Sequence, residues 1–182
     1  MKRTQVITAV CLLLAVIPAF AQSGKDPLTD KQIEDVREAG DQPVVRLRLF
    51  IGYIDDRAKE IHKIDSDPIA QNKALRLHNL FQEFTQLCDQ LQDNMDAFDQ
   101  QHADLRKALK EVVDKTTEWG AILNEPKPNT EYDFVRKTAI DSNQSAHEGA
   151  TQMIGDETKY IEEQKKEQKA QEKEREKEEQ TR

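Results

Sequence analysis

Residues 68–123 read PIAQNKALRLHNLFQEFTQLCDQLQDNMDAFDQQHADLRKALKEVVDKTTEWGAIL, and this stretch decides the fold. Alternating steps of four and three from Ala70 pass through Ala74, Leu77, Phe81, Phe84, Cys88, Leu91, Met95 and Phe98. They continue through His102, Leu105, Leu109, Val112, Thr116, Trp119 and Leu123. Fourteen of these sixteen positions are apolar, where the 36% apolar content of the whole chain would give about six. Such spacing marks one face of a helix. After Pro68 no proline or glycine interrupts until Gly120. The pattern predicts one helix of roughly 84 Å, at 1.5 Å rise per residue. A strict 3.5-residue repeat of that length calls for a partner helix along the stripe.

The partner is read downstream. Asn124-Glu125-Pro126-Lys127-Pro128-Asn129 is a loop by its prolines. Thr130 can cap a following helix, and Asp133 suits its first turn. The stripe of that helix is Tyr132, Val135, Ala139, Ser142, Ala146, Gly149 or Ala150, and Met153, mostly small residues that let two helix axes approach. Upstream, Val44, Leu47, Ile51, Ile54, Ala58 and Ile61 predict an amphipathic helix over Pro43–Ile64, with Phe50 and Tyr53 widening its stripe. It should pack along the N-terminal half of the long helix. Asp67 and Pro68 separate the two. A short helix over Asp30–Ala39 precedes them, with Thr29 as cap, Gln32 reaching back, and Gly40 as the stop. The expectation is an all-α fold. It is an elongated antiparallel helical hairpin or coiled coil with a third, shorter helix packed on it, a short N-terminal helix and a charged C-terminal tail.

The chain has 182 residues, a net charge of -8, 34% charged residues, and only six glycines and six prolines. So few turn-formers exclude all-β, Rossmann-type and disulfide-scaffold folds. Residues 1–21 read as a secretory signal. Lys2 and Arg3 lead an uncharged run from Val6 to Ile17, and Ala19-Phe20-Ala21 is a small-x-small cleavage pattern before Gln22. That run is too short to span a membrane. The expected organisation is a signal peptide over 1–21, a helical domain over 22–161 and a charged tail over 162–182, helical or disordered. The protein is expected in the periplasm or outside the cell. Cleavage would remove Cys11 and leave Cys88 without a partner, so no disulfide framework is expected.

Motifs that would carry chemistry are few. Bundle metal sites need histidines and carboxylates converging from several helices. Only Asp99-Gln100-Gln101-His102 has carboxylate–x–x–His spacing, and His147 on the facing helix is the one histidine placed near it. His102, Asp99 and His147 are therefore the candidate metal residues. A buried polar residue that fixes helix register explains His102 more simply, and neither metal nor cofactor is assigned. Cys88, between Phe84 and Leu91, reads as a small hydrophobe. No Gly-rich phosphate loop, G-x-S-x-G or C-x-x-C-H occurs, and no catalytic residue or small-molecule substrate is inferred. An acidic chain repels phosphates, so nucleic acid is not an expected partner. A protein partner or self-association is. The candidate surface is the ridge of Leu49, Phe50 and Tyr53, flanked by Arg46, Arg48 and Arg57. Asn143-Gln144-Ser145 matches a glycosylation acceptor and carries no weight.

Leu28-Thr29-Asp30-Lys31-Gln32 resembles the LTxxQ signature of periplasmic stress chaperones of the Spy and CpxP type. That resemblance implies a small exported helical chaperone forming cradle-shaped dimers. The string occurs once here, where the family usually carries it twice, and no site residues follow from it. The layout also resembles exported bacterial helical proteins with no assigned activity. The leading expectation is a non-enzymatic structural or interaction protein of the cell envelope. A holdase chaperone of the periplasm and a metal-binding helical bundle are the alternatives.

Overall fold

The structure is a computed structural model that describes residues 26–101 and 103–180. The signal read over 1–21 and the stripe position His102 lie outside the described residues. Every regular element described is helical: α1 (Asp30–Ala39), α2 (Pro43–Ser66), α3 (Lys73–Asp99), α4 (Arg106–Leu123) and α5 (Asp133–Gln180). None is long and apolar enough to cross a membrane. The all-α class holds, with a short first helix, a third helix along the hairpin and a charged C-terminal helix.

Local chemistry sets the ends of α1 and α2. Thr29 Oγ1 accepts from the Gln32 amide at 3.3 Å, and Gln32 Oε1 accepts from the Thr29 amide at 2.9 Å. The LTxxQ string is thus a capping box. Gly40 then adopts a positive φ of 45°, which a residue with a β-carbon takes only at a cost, and its amide closes on Arg37 O. Pro43 opens α2 at a position where its missing N–H is not needed.

The long helix expected over residues 68–123 is two helices. It starts late, because Asp67 Oδ1 accepts from the Ile69 amide at 2.9 Å and Asn72 turns left-handed at φ 50°. It then breaks at residues 100–105, between α3 and α4. Phe98 and Leu105 are seven apart, so the stripe runs through the break without a phase change. Both halves of the stripe are buried as expected, from Leu77 to Phe98 and from Leu105 to Leu123. The reason for the break is tertiary. A straight 84 Å stripe would need covering along its whole length, and α2, at 24 residues, covers less than half of it. Folding back at 100–105 lets α2 and α5 cover both halves at once.

Cross-helix bonds fix the topology. On α2 and α3, Arg57 pairs with Glu83 at 2.6 Å and Glu60 with Arg76 at 3.2 Å, so the two run antiparallel. Likewise α4 and α5 are antiparallel about the loop at 124–132, with Leu105 bonded to Glu157 and Thr116 to Asn143. Helices α2 and α4 run parallel, through Asp55–Trp119 and His62–Glu125. So do α3 and α5, through His78–Glu131 and Asp89–Ser142. Among the described residues, the backbones of α3 and α4 do not come close, nor do those of α2 and α5, although the Phe84 and Trp119 side chains meet across the middle. The four helices form a bundle with α3 and α4 at opposite corners, and residues 100–105 cross its end diagonally.

Trp119, Phe81, Phe84, Leu91, Met95 and Leu109 fill the interior. Each such side chain contributes roughly 1.5–3 kcal/mol by leaving water. Phe84 and Trp119 meet edge to face, with centroids 5.9 Å apart and planes at 88°. Ala139, Ser142, Ala146 and Ala150 of α5 are all buried, as the small-residue stripe predicts. Asn129 rather than Thr130 closes the turn before α5, its Oδ1 accepting from the Glu131 amide at 2.9 Å. Past Glu157, which is level with the crossing, α5 runs on for roughly 35 Å. Residues 162–169 of that extension are exposed.

Candidate functional site

The ridge expected on α2 is not an open surface. Phe50 is 2% exposed and Tyr53 9%, with their rings edge to face at 6.4 Å. Among the described helices, the backbone of α1 approaches that of α2, and Val36 and Ala39 are buried. Leu49 is half-buried. Burial, with the nearby Asp35 carboxylate, pushes the Tyr53 phenol above its ordinary value. Two of the three arginines are spent on structure. Arg57 donates to Pro27 O at 2.7 Å and to Glu83, while Arg48 forks onto Glu111, with Nε to Oε2 at 2.9 Å. Arg46 is half-buried, and its Nε has no hydrogen-bond partner. The sequence marks Phe50 and Tyr53 as apolar but does not say that both are buried, with Asp35 of α1 beside Tyr53.

Of the candidate metal residues, the two that are described, Asp99 and His147, lie apart. His147 Nδ1 is engaged by Thr116 Oγ1 at 2.8 Å, at the α4–α5 contact. Asp99 lines a cleft at the crossing, more than two turns of α5 further along. Among the described residues no three His, Cys, Asp or Glu side chains converge on a common point. Cys88 is buried beside Asp89, and burial pushes its thiol far above the ordinary range, where it is a poor nucleophile. Asn143 is also buried, with Nδ2 donating to Thr116 O at 2.9 Å, so its amide is not open to glycosylation.

The concave feature with unspent polar groups is a cleft of about 600 Å³ at the crossing. Asp99, Ala103, Arg106, Asp156, Glu157 and Tyr160 line it. Glu157 projects from α5 and accepts from the Leu105 amide through Oε1 at 3.2 Å. Its Oε2 is buried without a donor. Arg106 Nε lies 3.9 Å from that oxygen, an ion pair beyond hydrogen-bond reach. Arg106 is turned instead to Asp104, donating through Nε at 2.9 Å and Nη2 at 2.7 Å. That guanidinium holds the Asp104 carboxyl down at about 2. Burial raises the Glu157 carboxyl above its ordinary value, against the pull of the Leu105 amide. A second cleft of about 520 Å³ lies at the other end of the bundle. There Lys73 pairs with Asp65 at 3.1 Å and Tyr132 donates to Lys127 O at 2.6 Å.

Sequence reasoning missed Glu157, although the pattern held a signal. Continuing the α5 stripe through Ala146, Ala150 and Ile154 lands on Glu157 and then Ile161, a carboxylate between apolar neighbours. Comparison with known proteins finds no matching family, no matching curated protein and no matching solved structure.

Proposed function

We propose that this chain is an exported, non-enzymatic helical protein of the cell envelope, acting as a structural or interaction module. The signal pattern at residues 1–21 supports export. The observation that carries the module reading is the course of α5. The bundle interior is filled by side chains, yet α5 continues past the crossing as a charged helix whose residues 162–169 are exposed. Such an arm suits a spacer or a handle for another protein. The test is capture from an envelope extract with the full chain and with a variant lacking residues 162–182. A partner held by the first and lost from the second is expected. Equal capture by both, or none by either, overturns the arm's role.

The holdase reading has one observation in its favour besides the LTxxQ string. Among the described helices α1 lies against α2, and Asp35 of α1 is beside Tyr53, so release of α1 would uncover Tyr53. A holdase needs such an apolar patch. It would suppress aggregation of an unfolded client at several-fold excess, and more strongly once α1 is removed. No suppression by either form ends that reading.

A further inference from the structure

We infer that the outer face shared by α3 and α5 is where a second copy of this chain docks. The face follows the seam between the two helices, which His78 and Asp89 bond to Glu131 and Ser142. Leu75 and Gln82 stand three residues before and four after His78, so they lie on that side of α3. Phe134 and Ser145 stand three after Glu131 and Ser142 on α5. Leu75, Asn79 and Gln82 are exposed, and Gln86 and Gln90 continue their line half-buried. Phe134, Thr138 and Ser145 are exposed beside them. None of these is charged. The acidic groups nearby are Asp89, which takes the Ser142 hydroxyl at 2.9 Å, and Asp141. Arg76 and Glu83 turn the other way, to Glu60 and Arg57 of α2. The opposite side of the bundle is different. There α2 exposes Asp56, Lys59 and Lys63, and α4 exposes Lys107, Lys110 and Asp114.

Phe134 is 83% exposed and Leu75 59%. The two bonded pairs that join α3 to α5 are each 53 residues apart, which sets Phe134 level with Phe81, near the middle of the run from Leu75 to Gln90. An exposed aromatic ring within a charge-depleted patch is the make-up of a protein interface. Charge selects a second copy as the occupant. The chain carries a net charge of -8, so copies repel one another where charged faces meet. Side-chain amides carry both donors and an acceptor, so a strip of Asn and Gln can bond to itself across a two-fold axis. Two helices each about 10 Å wide, over a run of about 30 Å, offer roughly 600 Å² per copy, the lower end of a standard interface. This inference does not rest on the arm at residues 162–182.

The test is sedimentation equilibrium of the full chain over a range of concentrations, where a reversible monomer–dimer equilibrium is expected. Gln82→Asp places a carboxylate on the face, and Phe134→Ala removes the aromatic ring. Each should raise the dimer dissociation constant by about tenfold or more. Thr117→Asp adds the same single charge to α4 on the other side of the bundle, and should change that constant by less than about threefold. Gln82, Phe134 and Thr117 are all exposed, so the three variants should fold, which circular dichroism checks. A monomer at every concentration would give the face to some other partner and overturn the proposal. So would a dimer that Q82D and F134A leave unchanged, or one that T117D weakens as much as Q82D does.

Discussion

The backbone amide of Leu105 donates to Glu157 at 3.2 Å, which ties the start of α4 to α5 across the end of the bundle. Leu105 is the N-cap residue of α4 and has no side-chain oxygen to offer, so a distant carboxylate meets the orphaned backbone donor. Glu157→Ala removes that acceptor. Loss of a helix cap costs about 0.5–2 kcal/mol. Urea unfolding should show a loss in that range, and hydrogen exchange at the Leu105 amide should quicken. An unchanged exchange rate would mean that the bond does not hold the crossing.

The same carboxylate makes stability depend on pH with an unusual sign. Burial raises Glu157 above its ordinary value of 4.5, so the folded state holds that proton more firmly than the unfolded state. Its stabilising contribution is present below the unfolded value and is lost as pH rises through the folded one. Asp104 acts oppositely and lower. Its contribution is present above 3.8 and fades as pH falls toward about 2. Between pH 4 and 7 the urea midpoint of E157Q should therefore decline less with rising pH than that of the wild-type chain. Parallel profiles would exclude Glu157 as the source.

Most of the fold was legible because burial follows spacing. The stripe from Leu77 to Leu123 and the small residues of α5 are buried where periodicity puts them. The break at 100–105 was not legible, because the heptad phase crosses it unbroken and no proline or glycine marks it. The Glu157 bond to Leu105 joins residues 52 apart in the chain, so no local pattern announces it. The covered ridge was hidden for a similar reason. Phe50 and Tyr53 look like a surface in the sequence, yet both are buried in the folded chain. In both cases local pattern gives the face of a helix, and only tertiary packing says what meets it.

Trp119 is a second point where one side chain joins two helices. It is fully buried against Phe84, and its indole N–H donates to Asp55 Oδ1 at 3.1 Å. Burial opposes the charge on Asp55, but bonds from Lys59, Trp119 and Lys115 prevail and hold its carboxyl below the ordinary value. Trp119→Ala should cost about 3–5 kcal/mol, as for other large aromatic truncations. Trp119→Phe keeps an aromatic ring and loses mainly the hydrogen bond, and should cost about 1–3 kcal/mol. Circular dichroism during urea unfolding measures both. Equal losses for the two variants would mean that the Asp55 bond, not the packing, sets the cost.

Gly120 and Asn143 make a coupled pair. A β-carbon at Gly120 would lie 3.3 Å from Asn143 Nδ2, which is committed to Thr116 O at 2.9 Å. Alanine is worth about 0.8–1 kcal/mol more than glycine inside a helix. In the wild-type chain that gain should be cancelled by crowding of the Asn143 amide. In an Asn143→Ala background Gly120→Ala should stabilise by nearly the full amount. A double-mutant cycle reads the difference directly, and residues in contact show couplings of about 0.5–3 kcal/mol. A coupling of zero would mean that Asn143 moves aside freely.

The charged end of α5 gives a test that separates helix from fold. Residues 162–169 are exposed, and the sequence from Glu162 to Gln180 carries no apolar stripe. Its support is local, from pairs such as Glu162 with Lys166, each worth about 0.2–0.5 kcal/mol and weakened by salt. Deleting residues 162–182 should lower the helical signal in proportion to the residues lost. The cooperative unfolding midpoint should not move, because residues 162–169 are exposed and the sequence of the segment has no apolar stripe to bury. Added salt should reduce helicity in the full chain more than in the shortened one. A fall in the unfolding midpoint on deletion would show that the arm folds back onto the bundle in solution.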